Sequence, residues 1–151
     1  MLFRSRALTE ATEEDIEALR ALGIEVVYDL RKEAERVANP EPAMVCNAFE
    51  VRVCPVDLQD DESRTQETKS SHVKAAYGRP GERMRFLYGV MANHADAVQS
   101  IARSIIADGK PALVHCANGK DRVGVVCASV QLACGVSHDV VMADYLRTNE
   151  Y

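Results

Sequence analysis

Apolar residues recur along the chain with a helical period in some stretches and a strand period in others. The first amphipathic stretch, TEATEEDIEALRALG (9–23), has Thr9 and Thr12 as candidate caps, acidic residues in its first turn, an apolar face and a final glycine. This pattern predicts a helix. The next segment, IEVVYDL (24–30), is short and β-branched, as buried strands are. The segment FEVRVCPVDL (49–58) alternates apolar and polar residues and predicts a half-buried strand.

The second half of the chain continues this alternation of helix and strand patterns. Apolar residues at helical spacing after residue 81 predict a long helix, and they are Met84, Leu87, Met91, Val98, Ile101 and Ile105. KPALVHC (110–116) predicts a short central strand, and RVGVVCASVQLACG (122–135), apolar almost all round, predicts a buried helix. SHDVVMADYLRTNEY (137–151) predicts a last helix with Ser137 as its cap. Strands that alternate with helices favour a single layered α/β domain over residues 1–151, built on a largely parallel sheet.

One polar, aperiodic segment, residues 59–80, interrupts this pattern. Segments of this kind are often mobile and cover or border a binding site. A solvated surface loop explains the same composition equally well, so both interpretations stay open.

The composition is that of a globular domain with one core. Of the 151 residues, 47% are hydrophobic and 27% are charged, which argues against disorder. The formal net charge of -5 gives no sign of a broad surface for nucleic acid or anionic membranes, so an anion site must be local. The N-terminal residues lack the apolar core of a signal peptide, and no stretch approaches the length of a membrane span. We therefore expect a cytoplasmic protein with no integral membrane segment and no nucleic-acid partner.

The five cysteines, an odd number, fit a reducing compartment better than a disulfide framework. They form no CxxC pair and have no companion histidines at zinc-finger spacing, so we expect neither a metal nor another cofactor. Four of them are interpreted as small buried hydrophobic residues, namely Cys46, Cys54, Cys127 and Cys134. Cys116 is the exception, because of the residues that follow it.

The stretch LVHCANGKDRVGVV (113–126) places Cys116 and Arg122 at the two ends of a short loop between the predicted central strand and a helix. A loop that ends on a helix N-terminus can point backbone N–H groups inward and form a concave anion site. Gly119 lets the backbone turn tightly, and the planar guanidinium of Arg122 can bind two phosphate oxygens. A thiol held there feels amide dipoles, a helix terminus and a guanidinium, all of which favour the thiolate. Cys116 is therefore predicted to attack a phosphate monoester in line and form a cysteinyl-phosphate.

The leaving alcohol of such a reaction needs a proton, and several aspartates are candidates. Asp121, inside the loop, is the nearest by sequence and is the preferred general acid. Asp57, Asp60 and Asp61 in CPVDLQDD are alternatives that a neighbouring loop can bring to the site. His115 is interpreted as a structural residue that fixes the cysteine backbone, and no role is assigned to the other three histidines. The stretch is not a nucleotide P-loop, because GKDR lacks the upstream glycine and the hydroxyl after the lysine.

The stretch HCANGKDRVG resembles the HCxxGKDR active-site loop of the tyrosine phosphatase superfamily, in particular its bacterial and fungal branch of tyrosine/serine and lipid-active phosphatases. Residues 3–35 are similar to the N-terminal region of that branch, and DYLRTNEY (144–151) is similar to the segment after its catalytic helix. The resemblance implies a tyrosine-phosphatase-like α/β fold with a central, mostly parallel sheet flanked by helices. It also implies Cys116 as nucleophile, Arg122 as phosphate ligand and Asp121 as general acid. The further residues implied in binding phosphate or substrate are Ala117, Asn118, Gly119, Lys120 and Val123.

Two matches outside the core of this motif extend what the resemblance implies. Lys120 matches a lysine that helps phosphoinositide phosphatases to bind an additional phosphate, which would widen the substrate range beyond phosphotyrosine. Asp29, Arg31 and Glu35 match a DLRxxxE pattern, for which a structural ion-pair role is expected rather than a catalytic one.

Two departures from the family pattern bear on function. Val123 stands where the family usually has threonine or serine, whose hydroxyl assists the thiolate as leaving group, so breakdown of the cysteinyl-phosphate is expected to be slow. The chain also stops at Tyr151, where relatives usually continue with further helices that pack on the core. The fold is therefore expected to be either a compact or a C-terminally truncated version.

The expected activity is hydrolysis of phosphotyrosine monoesters, with phosphoserine, phosphothreonine or phosphoinositide monoesters as further substrates. Phosphorylated proteins or phosphoinositides are then the partners, and the sequence does not indicate an oligomeric state. The alternative, motivated by Val123, is a pseudophosphatase that binds phosphorylated partners and turns them over poorly. A sulfur-transfer or redox enzyme is a third interpretation, since a strand, a cysteine loop and a helix also serve that chemistry.

Overall fold

A four-stranded parallel sheet runs through this computed structural model, which describes residues 1–56 and 95–150. Its strands are β1 (Leu2–Ser5), β2 (Val26–Asp29), β3 (Glu50–Val53) and β4 (Ala112–His115). The helices are α1 (Glu13–Ala21), α2 (Glu33–Ala38), α3 (Ala43–Ala48), α4 (Ala95–Asp108), α5 (Asp121–Ala133) and α6 (His138–Leu146), followed by a 3-10 helix at Arg147–Glu150. The described strands pair in the order β1-β4-β2-β3, all in parallel, which confirms the predicted α/β fold with a largely parallel sheet.

The register of the sheet brings the ends of three strands to one level. Strand β4 lies between β1 and β2, and all four of its residues are buried. Its last residue, His115, is level with Ser5 at the end of β1 and with Asp29 at the end of β2. Because the strands are parallel, the segments that follow these residues leave the sheet at the same edge. Ligands of α/β sheets gather at this edge.

Apolar side chains cover both faces of the sheet. On one face, α1 and α3 close a core of buried residues, namely Leu8, Ile16, Ile24, Val27, Val45, Phe49 and Leu113. Side chains alternate along a strand, so Val26 and Val114 point to the opposite face. There α5 packs on β1 and β4 and buries Val126 and Val130. The strand that carries the cysteine loop is thus held between two apolar layers.

The first helix begins and ends where its capping residues indicate. The Thr12 hydroxyl accepts the backbone N–H of Asp15 at 3.2 Å, and the Asp15 carboxylate accepts the Thr12 N–H at 2.9 Å. This capping box satisfies two N–H groups that lack an intrahelical partner. Gly23 follows the helix with φ 76°, in the left-handed region that favours glycine. The predicted helix is confirmed as α1, with Thr12 rather than Thr9 as its cap.

The segment between β2 and β3 is more regular than its charged, proline-containing sequence indicates. It forms α2 and α3, two helices of six residues each. The Glu35 carboxylate accepts the Lys32 N–H at 2.9 Å at the start of α2, and Pro42 occupies the cap position of α3, where no N–H is needed. Strand β3 forms an edge of the described sheet and is partly exposed, as its alternating pattern predicts.

Predictions about cysteine burial and helix capping need correction. Cys46 and Cys134 are exposed rather than buried, and Cys54 is half-buried, whereas Cys127 is buried as predicted. Cys46 occupies a solvent-facing position of α3, and Cys134 follows α5, whose last turn is itself exposed. Helix α5 is therefore buried over its first turns and not all round. Ser137 occupies the cap position of α6, but its side chain makes no capping hydrogen bond.

Several predictions lie outside the described residues. They concern the polar segment 59–80, the end of the strand predicted at 57–58 and the part of the long helix before α4. Among the helices in residues 1–56 and 95–150, none is long and apolar enough to cross a membrane.

Candidate active site

The cysteine loop, residues 116–120, connects β4 to α5 at the ligand-binding edge of the sheet. Cys116 directly follows β4, and its side chain is buried. The backbone N–H of Gly119 donates a hydrogen bond to the Cys116 sulfur at 3.3 Å, within the range for a sulfur acceptor. The loop therefore turns back over the sulfur and points an amide at it. This is the concave arrangement that the loop sequence predicts.

Gly119 is required at its position by both space and backbone conformation. Its φ of 67° lies in the left-handed region, and a Cβ built on it would stand 2.4 Å from the carbonyl oxygen of Ser5. The neighbouring Ala7 N–H donates to the Ala117 carbonyl at 3.3 Å. The segment that leaves β1 thus packs directly against the cysteine loop and holds its shape.

Arg122, in the first turn of α5, is held by a two-pronged ion pair with Glu35. Its Nη1 donates to Glu35 Oε2 at 2.7 Å and its Nη2 donates to Glu35 Oε1 at 2.8 Å. Nη1 also donates to the Leu30 carbonyl at 3.3 Å, and the arginine side chain is 11% exposed. Parallel guanidinium–carboxylate bonds of this kind fix orientation as well as charge.

The electrostatics of this pair keep both partners ionised. Burial works against the charge on Arg122, but the hydrogen bonds to Glu35 and the proximity of the Cys116 sulfur outweigh it and raise the arginine pKa. The hydrogen bonds from Arg122 lower the pKa of Glu35, against the opposing effect of burial and with help from the Lys32 N–H. A permanent positive charge therefore stands beside the sulfur at neutral pH.

The geometry leaves part of the Arg122 guanidinium available to a ligand. The Glu35 carboxylate and the Leu30 carbonyl accept hydrogen bonds from Nη1 and Nη2. Within residues 1–56 and 95–150, the Nε–H and the second Nη2 hydrogen have no oxygen partner. Those two donors form a second planar fork of the kind that binds two oxygens of one phosphate. One arginine can thus bind Glu35 with one edge and an oxyanion with the other.

The other predicted site residues occupy the loop and the first turn of α5. Ala117 is half-buried, whereas Asn118 and Lys120 are exposed, with Lys120 at the N-cap position of α5. Asp121 is half-buried in the first helical turn, and Val123 is fully buried. The roles assigned to them from sequence stay predictions. Asp57, the alternative acid, lies outside the described residues, as do the two aspartates that follow it.

A cavity of about 620 Å³ opens beside the cysteine loop. Loop residues Asn118 and Gly119 form part of its wall. Its charged lining residues are Arg4, Arg6, Asp144 and Arg147. Arg4 lies 3.9 Å from the Asp144 carboxylate and Arg6 lies 3.2 Å from the Glu10 carboxylate, so these two arginines are already paired with acidic side chains.

A buried cluster of charged and polar side chains lies behind the loop. Arg31 donates from Nη2 to Asp29 at 2.8 Å and also contacts Glu41, so the predicted ion pair of Asp29 and Arg31 is confirmed. Glu35 does not join this pair but binds Arg122 instead. His115 is fully buried, with Nδ1 3.8 Å from Asp29 and Nε2 3.5 Å from Glu41. Burial lowers the pKa of His115, against the attraction of Asp29.

Three side chains of this cluster lie close enough together to coordinate a metal ion, but the cluster does not suit a cation. Asp29, Glu41 and His115 offer atoms that all lie within 4.8 Å of one another. The guanidinium of Arg31, however, already donates to both carboxyl groups and supplies the positive charge that a metal would bring. A second cation there would meet this charge in a buried environment, at a large electrostatic cost.

Two residues of the site are not identified by sequence reasoning. Glu35 is visible only as part of the DLRxxxE pattern, for which the expected role was structural, and its contact with Arg122 is long-range. Glu41 follows a proline and has no pattern that singles it out. The role of both residues becomes visible only in the structure, because their contacts depend on how the segment after β2 folds against the sheet.

Sequence comparison relates the whole chain to known phosphatases. Residues 1–151 match the family described as the tyrosine phosphatase family. The chain is 35% identical over 169 residues to the triple specificity protein phosphatase PtpB of Mycobacterium tuberculosis, a match that covers 99% of this chain and 61% of PtpB. A protein of Cupriavidus necator is 29% identical over 153 residues, covering 99% of this chain and 53% of that protein. The chain therefore spans 53% to 61% of the length of these two relatives.

Two solved structures share the fold. P. aeruginosa TpbA is similar with a TM-score of 0.53 and 15% identity, over 96% of this chain and 67% of its own. The human tyrosine phosphatase-like serine/threonine/tyrosine-interacting protein gives a TM-score of 0.51 and 16% identity, over 97% and 78%. At these identities the likeness shows the fold alone. The match to the family extends over every residue of the chain, and the chain belongs to the tyrosine phosphatase family.

Proposed function

We propose that the chain is a cysteine-dependent phosphomonoesterase that hydrolyses phosphotyrosine, with phosphoserine, phosphothreonine or phosphoinositide monoesters as further substrates. Residues 1–151 act in this proposal as one phosphatase domain. One observation carries it: the Gly119 amide and the Arg122 guanidinium converge on the Cys116 sulfur at the end of the central strand. The relative PtpB is a triple specificity protein phosphatase by name, which supports a substrate range beyond phosphotyrosine.

In the first step, the Cys116 thiolate attacks the phosphorus in line with the scissile P–O bond. The S–P bond forms, the P–O bond breaks, and its electron pair leaves with the alcohol oxygen, which takes a proton from the Asp121 carboxyl. The loop amides and the Nε–Nη2 edge of Arg122 stabilise the negative charge on the three equatorial oxygens. The N-terminus of α5 points its partial positive charge at the same group.

In the second step, water attacks the phosphorus of the cysteinyl-phosphate while the Asp121 carboxylate accepts a proton from it. The S–P bond breaks, its electron pair returns to sulfur, and inorganic phosphate leaves. The cycle ends with Asp121 protonated and Cys116 ionised, as it began. Atoms and charges balance in this cycle with water as the one co-substrate.

The chemistry also fits the compartment expected from the sequence. All five cysteines are free in the structure. A reducing compartment such as the cytoplasm keeps the Cys116 thiol available for attack, because oxidation removes the nucleophile. We therefore propose a cytoplasmic location.

Val123 favours a second candidate function, a pseudophosphatase that binds phosphorylated partners with little turnover. Its apolar side chain is fully buried in the first turn of α5, next in sequence to Arg122. No hydroxyl is available at this position to donate a hydrogen bond to the sulfur when the S–P bond breaks. The phosphate site would then remain intact while the second step becomes slow.

Steady-state release of phosphate from p-nitrophenyl phosphate and from a phosphotyrosine peptide tests the proposal. We expect turnover by the unaltered chain, none by Cys116→Ser, and near-normal turnover by Cys134→Ser, a matched change at an exposed cysteine outside the loop. Absence of turnover together with tight phosphopeptide binding establishes the pseudophosphatase instead. Activity retained by Cys116→Ser overturns the mechanism. A panel of phosphoamino acids and phosphoinositides then ranks the substrate classes.

A further inference from the structure

The buried cluster behind the cysteine loop takes no part in the reaction steps described above. It consists of Asp29, Arg31, Glu41 and His115, whose side chains are 1%, 2%, 7% and 0% exposed. His115 is the residue before Cys116, and its carbonyl accepts the Leu30 N–H at 2.9 Å. The imidazole thus lies directly behind the residue that carries the sulfur.

Hydrogen bonding inside the cluster is uneven. Asp29 accepts four hydrogen bonds from Arg31: two to Oδ1, from the backbone N and Nε, both at 2.9 Å, and two to Oδ2, from Nε at 3.1 Å and Nη2 at 2.8 Å. Glu41 accepts one, at Oε1 from Arg31 Nη2, at 2.5 Å. Glu41 Oε2 and both ring nitrogens of His115 are buried and have no hydrogen-bond partner in the part of the chain that the structure describes. The unsatisfied groups thus belong to Glu41 and His115.

The donors and acceptors around the imidazole do not match if both carboxyl groups are ionised. A neutral ring has one N–H and one lone pair. His115 faces a carboxylate on each side, Asp29 at 3.8 Å from Nδ1 and Glu41 at 3.5 Å from Nε2. Two carboxylates offer acceptors alone, so one ring nitrogen would face a lone pair with its own lone pair. A second proton on the ring or a proton on one of the carboxyl groups removes this conflict. The cluster is buried, which disfavours an imidazolium and leaves the proton on a carboxyl group.

Glu41 is the carboxyl group that can hold this proton. Asp29 accepts four hydrogen bonds from Arg31, spread over both of its oxygens, whereas Glu41 accepts one from Arg31, at Oε1. Burial raises the pKa of Glu41, with Asp29 adding to the effect and with Arg31 and the Leu8 backbone opposing it. Burial also lowers the pKa of His115, with Arg31 adding to the effect and with Asp29 and the Cys116 backbone opposing it. Both shifts favour an uncharged pair.

We propose that Glu41 is a positioning residue whose protonated carboxyl group donates a hydrogen bond to Nε2 of His115 and so keeps the imidazole neutral, with the ring's own proton on Nδ1, directly behind Cys116. The Nε2–Oε1 separation of 3.5 Å is longer than a hydrogen bond, and the terminal torsion of a glutamate side chain is soft enough to close the gap. The thiolate is then stabilised by the loop amides and Arg122 with no imidazolium charge beside it. This catalytic consequence rests on the proposed phosphatase function, whereas the protonation state does not.

Nitrogen-15 NMR of histidine-labelled protein tests the protonation state without any turnover. The His115 resonances are identified by their absence from His115→Asn. We expect a neutral ring protonated at Nδ1 and unchanged between about pH 6 and pH 8. An imidazolium, or a ring protonated at Nε2, overturns the proposal.

Two substitutions at Glu41 test its positioning role. Glutamine can donate an N–H to Nε2 and accept from Arg31 through its oxygen, so Glu41→Gln should retain the His115 spectrum and keep kcat within about threefold. Glu41→Leu removes the donor, and we expect a changed tautomer and a fall in kcat of about tenfold or more, with KM little altered. Glu33→Gln, at an exposed position of α2, is the matched control.

The outcomes separate this inference from the proposed function. If Glu41→Gln alters the spectrum as Glu41→Leu does, or if Glu41→Leu leaves it unchanged, the proposal is wrong. If Glu41→Leu does not fold, the wild-type and Glu41→Gln spectra still decide. A chain with the expected spectrum and no phosphatase activity refutes the function and leaves the role of Glu41 in orienting His115.

Discussion

Replacing Glu35 with glutamine removes the charge that holds the Arg122 guanidinium while keeping the size of the side chain. The carboxylate binds Nη1 at 2.7 Å and Nη2 at 2.8 Å, and glutamine can accept only one of these bonds. The amide nitrogen would face the other guanidinium N–H, donor against donor. We therefore expect the guanidinium to lose its fixed orientation beside Cys116.

The magnitude follows from the burial of the two partners. Two unit charges about 4 Å apart attract each other by about 4 kcal/mol at the effective dielectric constant of a protein surface. The Arg122 side chain is 11% exposed and the Glu35 side chain 32% exposed, so solvent screens the pair and the desolvation of Arg122 offsets part of the attraction. We expect Glu35→Gln to lower the free energy of unfolding at neutral pH by about 1–2 kcal/mol. If the same interaction is required in the transition state, kcat/KM falls about tenfold for each 1.4 kcal/mol.

The pH dependence of this effect has a definite sign. Hydrogen bonds from Arg122 lower the pKa of Glu35 below its ordinary value, in spite of burial. A carboxyl group with a lowered folded-state pKa contributes its stability above the unfolded value, about 4.3, and loses it as the pH falls through the folded value. The difference between wild type and Glu35→Gln should therefore be constant from about pH 7 to pH 5 and shrink below about pH 4.

Urea unfolding followed by circular dichroism at about pH 7, pH 5 and pH 3 measures this difference. Glu33→Gln, at an exposed site on the same helix, controls for the loss of a surface charge. Equal destabilisation by Glu35→Gln and Glu33→Gln refutes the importance of the ion pair. A difference that stays the same at low pH refutes its assignment to the ionised carboxylate.

Three further substitutions test the cysteine loop. Gly119→Ala places a Cβ 2.4 Å from the Ser5 carbonyl at a φ of 67°, and we expect urea unfolding to show a loss of about 2 kcal/mol or more; a variant of wild-type stability contradicts the close approach. Val123→Thr adds a buried hydroxyl, so burst kinetics should show faster breakdown of the cysteinyl-phosphate and a smaller burst, whereas an unchanged rate removes the explanation based on the missing hydroxyl. Asp121→Asn should slow hydrolysis of phenyl phosphate more than that of p-nitrophenyl phosphate, whose leaving group needs no proton; the same pattern in Asp57→Asn instead assigns the acid there.

The parts of the structure that depend on local signals are predictable from sequence. The β-branched runs at 24–30 and 110–116 form parallel strands, and the loop between Cys116 and Arg122 forms because a glycine with positive φ stands before a helix start. The cap of α1 at Thr12 is equally local. In each case the residues that determine the structure lie within a few positions of one another.

The parts that depend on long-range packing are not predictable in this way. Glu35 and Arg122 are 87 positions apart, and no periodic pattern connects a glutamate in a charged segment to an arginine after a distant strand. The exposure of Cys46 and Cys134 likewise depends on which side of α3 and which end of α5 meet the core. Composition identifies both residues as small and apolar, but tertiary structure decides whether they are covered.

The cysteine loop takes its shape from contacts that its own sequence does not contain. Ser5 stands against Gly119, Glu35 orients Arg122, and two carboxyl groups flank His115. These partners reach the loop because β1, β2 and β4 are parallel and end at one level, so the segments that leave them meet at the same edge. The same ten residues, HCANGKDRVG, on a strand shifted in register would keep the thiol and the guanidinium but lose the groups that orient them. The motif therefore identifies the chemistry, and the register of the sheet determines whether the site can perform it.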